Sequence, residues 1–251
     1  MTFDVAADAY ASFMGRFAVP LAEKFVDLVG LERGWRVLDV GCGPGTVTAV
    51  LAQRLGADRV AALDPSPSFV PAVRERLPDV DVREGAAEDL PFADATFDAA
   101  VCQLVVPFMA DAVRGLSEMG RVVLPGGVVA ACAWDFERGP VQAFWRAAEE
   151  LAPGAAAVID LAGAREGHLA ELMTAAGLQD TRSTTLTVRV EIATFEEWWA
   201  PFAYRIGPAG EYFATLTTAQ QSALRTRCAE LLAREPIEIT GVARAATARR
   251  P

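Results

Sequence analysis

Three glycines in the run Val37-Leu38-Asp39-Val40-Gly41-Cys42-Gly43-Pro44-Gly45-Thr46 stand where backbone alone can hold a polar ligand. An apolar strand runs into a loop whose glycines let a ligand approach closely, and then into a helix. The exposed N–H groups and positive dipole end of that helix favour a carboxylate or a phosphate. Two ligand classes compete for such a loop. A dinucleotide fingerprint, G-x-G-x-x-G, puts its third glycine at position 46, which here is Thr46; the spacing is G-x-G-x-G. A tight strand-to-helix turn that binds nothing also uses glycines. The second candidate is Asp64 in Leu63-Asp64-Pro65-Ser66, at the end of another apolar run. It lies about twenty residues past the loop, where an acid accepts hydrogen bonds from both hydroxyls of a ribose. Asp before Pro also serves as a plain turn residue. Loop and acid together point to an adenosine-containing cofactor.

Other reactive residues are sparse. The single histidine, His168, opens a helical stretch far from the loop and reads as a helix-end residue, so a His-rich metal site is excluded and no metal is expected. There is no Ser-His-Asp set. Asp135, in ACAWDF after a strand, is the best-placed acid for a base, on topology alone. Gln103 interrupts the apolar run VCQLVV, and a buried polar residue needs a partner. The later chain is aromatic, with Phe136, Phe144, Trp145, Phe195, Trp198, Trp199, Phe202, Tyr204 and Phe213. Phe13, Trp134, Trp198, Phe202 and Tyr204 are candidates for an apolar substrate pocket, with Arg205 to orient an acidic group; core packing is the competing use. Trp198 and Trp199 are adjacent, so at most one is expected to face the core from a helix.

The elements that position these residues alternate. Strand-length apolar runs are expected over 35–40, 59–63, 80–84, 97–104 and 127–134. Helical spacing is expected over 46–55, 67–76 and 111–123. That order predicts a doubly wound, mostly parallel sheet with helices on both faces. Further on, 167–176 reads as a helix stopped by Gly177, and 183–192 and 237–246 as a strand pair. Helical cap insertions are expected over about 137–164 and 194–235, after strands that end at the ligand edge.

VLDVGCGPGT, ALDPS, EGAAEDLPF, TFDAAVCQLVVPF and LPGG, in this order and spacing over roughly residues 10–135, resemble the type 11 branch of class I S-adenosylmethionine-dependent methyltransferases. The resemblance implies an α/β, Rossmann-like fold of seven strands with the last antiparallel, one domain over 1–251, and a cofactor half at about 1–135. It implies S-adenosylmethionine as cofactor and S-adenosylhomocysteine as product. Asp39, Gly41, Cys42, Gly43 and Gly45 would line the methionine part, Asp64 the ribose, and Pro65 with Ser66 the adenine. The family often reads Gly-Asp-Ala-Glu where this chain has Gly85-Ala86-Ala87-Glu88, so the Asp near the adenine amine is missing. Backbone at Ala86 and Ala87, or the Glu88 carboxylate, would substitute. Gln103 and Leu104 would sit by the reactive methyl, and Tyr10 and Arg16 would reach the cofactor carboxylate from an N-terminal helix. The implied activity is methyl transfer to a small hydrophobic or aromatic acceptor. The alternatives are a fold that binds the cofactor without methylating, or an NAD-dependent oxidoreductase.

Bulk properties set the remaining bounds. The formal charge is −10 and the pI about 4.7, which disfavours nucleic acid as partner. Arg244, Arg249 and Arg250 form a short basic tail expected to be solvated. Cys42, Cys102, Cys132 and Cys228 form no C-x-x-C pair and suit reduced, buried thiols. No signal peptide and no membrane-spanning run are expected, so the expected location is cytoplasmic, as monomer or homodimer.

Overall fold

The computed structural model describes residues 14–155, 161–204 and 207–251. Seven strands, β1 (Val37–Val40), β2 (Val60–Asp64), β3 (Asp81–Glu84), β4 (Phe97–Gln103), β5 (Val123–Trp134), β6 (Gln179–Ile192) and β7 (Ile237–Arg249), form one sheet in the order β3-β2-β1-β4-β5-β7-β6. β7 is antiparallel to β5 and β6, and the other neighbours are parallel. β1, β2 and residues 128–133 of β5 are buried at every position, as parallel strands covered on both faces require.

Helices α1 (Arg16–Val29), α2 (Thr46–Leu55) and α3 (Phe69–Arg76) contribute Phe17, Leu21, Phe25, Leu51 and Val73 to one apolar layer. Helices α4 (Ala112–Val122) and α6 (His168–Ala175) contribute Leu116, Met119, Leu169 and Met173 to the other. Alternation along β1 sends Val37 to the first layer and Leu38 and Val40 to the second. α2 begins and ends as its spacing predicts, because Gly45 (φ +80°) and Gly56 (φ +99°) bracket it with backbone that other residues rarely adopt. β5 starts earlier than expected, at Val123: the chain runs through Pro125-Gly126-Gly127 with a register shift against β4 instead of turning there.

The cap is helical: α5 (Gln142–Leu151), α7 (Phe195–Trp199), a 3₁₀ turn over 200–204, α8 (Gly207–Thr215) and α9 (Thr218–Leu231). The expectation for the tryptophan pair is corrected. Trp198 and Trp199 are both buried, at 3% and 8% exposure. Their short helix is enclosed on more than one side, with Phe202 5.0 Å from Trp198 and Phe213 5.3 Å from Trp199, ring to ring. The arginine tail is corrected in part: Arg249 is exposed as expected, whereas Arg244 and Arg250 are partly buried. Arg244 pairs with Asp135, Arg249 donates to Gly126 O at 2.7 Å, and Arg250 donates to Arg121 O and Val123 O. The four cysteines are buried and free, and among the described residues no helix is long and apolar enough to cross a membrane.

Candidate functional site

β1 delivers the glycine loop to the C-terminal edge of the sheet, where the N–H groups of Gly41 and Cys42 both donate to Leu63 O of β2, at 2.7 and 2.9 Å. Arg76, from α3, donates to Pro44 O and Gly45 O and fixes the far side of the loop. All three glycines have positive φ. A Cβ at Gly41 would meet Val105 at 2.5 Å, so packing demands glycine there, and Gly45, close to Val73 and the Arg76 guanidinium, is held to glycine by its φ of +80°. A Cβ at Gly43 would meet nothing within 4 Å. Gly43 therefore faces open space, beside the start of α2.

Asp64 lies directly beside Gly43. Its carboxylate accepts from Gly43 N at 2.8 Å and Ser66 N at 2.9 Å. A carboxylate offers about four acceptor positions, so two remain for hydroxyl donors. Burial raises its pKa, opposed by these two N–H bonds. Gly85 N donates to Asp64 O at 3.1 Å and brings the turn at Ala86 alongside, with Pro65 and Ala86 exposed and the Ala87 side chain in the core. Asp39 is 1% exposed and accepts from Thr48 Oγ1 of α2 at 2.6 Å. Burial pushes its pKa up to about 7, with repulsion from Asp64 adding and the Thr48 bond opposing. Burial also raises the Cys42 thiol, which leaves it protonated and unreactive.

Gln103 ends β4. Its Nε2 donates to Ala18 O of α1 at 3.1 Å, and its Oε1 is buried with no partner. Leu104 follows at φ +65°, an uncommon conformation for a bulky residue, with its N–H on Cys132 O at 2.8 Å. The donors at the start of α2, the free positions on Asp64 and the orphaned Gln103 oxygen fit a carboxylate, a ribose and an ammonium. Beyond Leu104, the ends of β4 and β5 and the cap enclose an apolar cavity of about 120 Å³, walled by Met14, Phe108, Trp134, Phe136, Trp145 and Pro208 among others. Asp135 is the one titratable residue on its wall among the described residues.

Several sequence expectations change. Asp135 is not a free base: Oδ1 accepts from the N–H groups of Glu137 and Arg138, and Oδ2 is bound by Arg138 (2.7 Å) and Arg244 (2.8 Å). Arg16 pairs with Glu197 of the cap at 2.6 Å instead of lying free for a ligand carboxylate. Glu88 accepts from Ala110 N and Asp111 N, which gives it a structural task. Trp198 and Phe202 do not line the cavity; Phe202 stacks on Phe144 at 4.6 Å in the core. Trp134 does line it. His168 opens α6 and accepts from Gly163 N, a helix-end role. Tyr10, Phe13, Arg205 and the Tyr204 side chain lie outside the described residues. Sequence reasoning missed Pro107, Phe108, Pro140, Trp145 and Pro208 as wall residues. Their signal was their position just beyond β4 and β5, or in the cap.

This strand order, with a glycine loop after β1 and an acid after β2, is the class I methyltransferase fold. Solved structures agree. A phosphoethanolamine N-methyltransferase of Haemonchus contortus, crystallised with S-adenosylhomocysteine and phosphomonomethylethanolamine, superposes at TM-score 0.61 and 17% identity, over 98% of this chain and 57% of that one. A [4+2]-cyclase superposes at 0.55 and 23%, over 93% and 81%. Residues 38–131 match the family model of the methyltransferase domain, type 11. A demethylmenaquinone methyltransferase of Beutenbergia cavernae is 43% identical over 102 residues, 41% of this chain and 42% of the relative. The chain spans about half or less of the length of the curated relatives it matches.

Proposed function

We propose that the protein transfers a methyl group from S-adenosylmethionine to a small, apolar, ring-bearing acceptor. The observation that carries this reading is the open space beside Gly43, bounded by the start of α2 and by Asp64, within the segment that matches the family. The cofactor supplies a methyl already activated by its sulfonium, whose C–S bond breaks as the bond to the acceptor forms. The protein then has to align the acceptor and exclude water. Asp64 binds the ribose, the α2 N-terminus and Gln103 hold the amino-acid end, and the cavity beyond Leu104 takes the acceptor. With Asp135 held by its arginines, alignment and the acceptor's own nucleophilicity carry the reaction. The demethylmenaquinone methyltransferase among the relatives supports a ring-bearing acceptor.

The test is calorimetric titration with S-adenosylhomocysteine, followed by a mass-detected methylation screen of hydrophobic small molecules. Asp64→Ala removes an acceptor for two hydroxyls. At about 1.5–3 kcal/mol per hydrogen bond to a charged group, affinity falls by roughly two to four orders of magnitude. Unchanged affinity in a folded variant sinks the ribose assignment. A second reading, cofactor binding without methylation, is favoured by the [4+2]-cyclase on the same fold; cofactor binding with no methylated product from any screened acceptor would select it.

A further inference from the structure

Three polar side-chain atoms are buried without a hydrogen-bond partner among the described residues: Gln103 Oε1, Trp134 Nε1 and Arg244 Nε. The third has a charge beside it. Arg244 stands on β7 opposite Ala133 of β5, and its Nε lies 2.8 Å from Asp135 Oδ2, out of line for a hydrogen bond. The contact is therefore one of charge with charge. Asp135 is 2% exposed, and a carboxylate so buried needs a cation beside it. Two cations reach it. Arg138 belongs to the same loop and moves with it, and its side chain is half exposed. Arg244 is anchored in the sheet.

Held there, Asp135 shapes the chain that follows. Its Oδ1 accepts from Glu137 N and Arg138 N, both at 3.0 Å. The turn closes so tightly that a Cβ at Gly139 would meet Asp135 O at 2.6 Å. Asp135 N donates to Val242 O, and Val242 N to Arg138 O, so β7 carries the loop by its backbone as well. Phe136, Gly139, Pro140 and Val141 of this loop wall the apolar cavity, and Arg244 does not. A residue off the wall thus holds the carboxylate around which part of the wall is folded.

We propose that Arg244 is a positioning residue for the methyl acceptor: through its charge on Asp135 it keeps the loop over 135–141 in the shape that grips an apolar molecule. The inference rests on the reading of this cavity as the acceptor's place. Because the contact is charge without hydrogen-bond direction, a lysine serves at position 244 and a neutral residue does not.

The test uses benzene as the probe, since apolar cavities of about 150 Å³ bind it and this one measures about 120 Å³. In ligand-observed NMR titrations, Arg244→Gln is expected to bind benzene at least about tenfold more weakly than wild type, and Arg244→Lys within about threefold of it. S-adenosylhomocysteine affinity, read by calorimetry, is expected to stay within about threefold in both, because its site is built on β1, β2 and α2. Hydrogen exchange at the Glu137 and Arg138 amides is expected to be slow in wild type and Arg244→Lys, and at least about tenfold faster in Arg244→Gln. Arg244→Met, which keeps the aliphatic stem packed, replaces Arg244→Gln if that variant does not fold. Wild type and Arg244→Lys decide where neither neutral variant folds. Five results overturn the proposal: no benzene binding by wild type, unprotected Glu137 and Arg138 amides in wild type, wild-type benzene affinity in a folded neutral variant, weak benzene binding by Arg244→Lys, or equal loss of benzene and S-adenosylhomocysteine binding. S-adenosylhomocysteine binding with benzene affinity indifferent to residue 244 overturns this inference alone. Benzene affinity that follows the charge at 244, with no S-adenosylhomocysteine binding by wild type, supports the hold of Arg244 on the cavity and overturns methyl transfer.

Discussion

Asp39 offers a measurement dominated by burial, with the Thr48 bond opposing it and the Asp64 charge adding to it. Its carboxyl titrates near 3.8 in an unfolded chain and near 7 in the folded one. Between those values the folded state binds more protons than the unfolded state, so stability falls as pH rises through that window. The fall is at most about 1.4 kcal/mol per pH unit, on the order of 4 kcal/mol in all. Asp39→Asn keeps a carbonyl oxygen for the Thr48 hydroxyl and cannot ionise. Its extra N–H group adds a cost that is constant with pH, so the difference between the two proteins isolates the titration. The variant is expected to gain on wild type by on the order of 4 kcal/mol between pH 4 and pH 8, or about 8–16 °C in Tm for a chain of this size. Differential scanning calorimetry of both proteins at unit pH steps measures it. Parallel profiles would show that Asp39 is ionised at ordinary cost in the folded protein, and the burial argument would fail.

Gly43→Val fills the space that Gly43 leaves open and puts a branched residue at φ +52°. S-adenosylhomocysteine binding is expected to be lost, and normal calorimetric binding by the variant refutes the loop assignment. Asp135→Asn leaves Arg138 and Arg244 without their shared charge and is expected to lower the midpoint of urea unfolding. Methylation per folded molecule is expected to survive; a loss of about a hundredfold or more in kcat would restore a base role. Phe144→Ala empties a core position that stacks on Phe202 and is expected to cost about 3–5 kcal/mol in urea unfolding.

The parts of the molecule written locally were legible in the sequence. The glycine loop, Asp64 and α2 depend on residues within one strand–loop–helix unit, where glycine position and apolar spacing speak directly. Asp39 was legible as a residue of the first buried strand, but its bond to Thr48 was not, because that partner is set by how α2 docks on β1. The cavity was not legible as a set: Met14, Phe108, Pro140 and Pro208 come from separate segments that only tertiary packing unites. The aromatic cap residues were ambiguous for the same reason. Hydrophobicity alone does not separate Trp134, which faces the cavity, from Phe202, which faces Phe144. The arginines near the end of the chain read as a charged tail because sequence cannot show that β7 lies inside the sheet, where carbonyls and an aspartate await them.

The placement of β7 also bears on the order in which the molecule is made. β5 is flanked on one side by β4, close in sequence. On the other it needs β7, with Val128 opposite Arg249 and Trp134 opposite Ala243, partners roughly 110–120 residues away, a separation that slows pairing. During synthesis the glycine loop, Asp64 and their supporting strands can pack while β5 still presents a row of unpaired backbone groups, a template for association with other chains. Docking of β7 closes that edge, and Arg250 ties the seam to the carbonyls of Arg121 and Val123. The same event sets Gly241 against Pro140 and the Trp134 ring. The cofactor side can therefore form early, while the acceptor cavity is completed only when the last strand is in place.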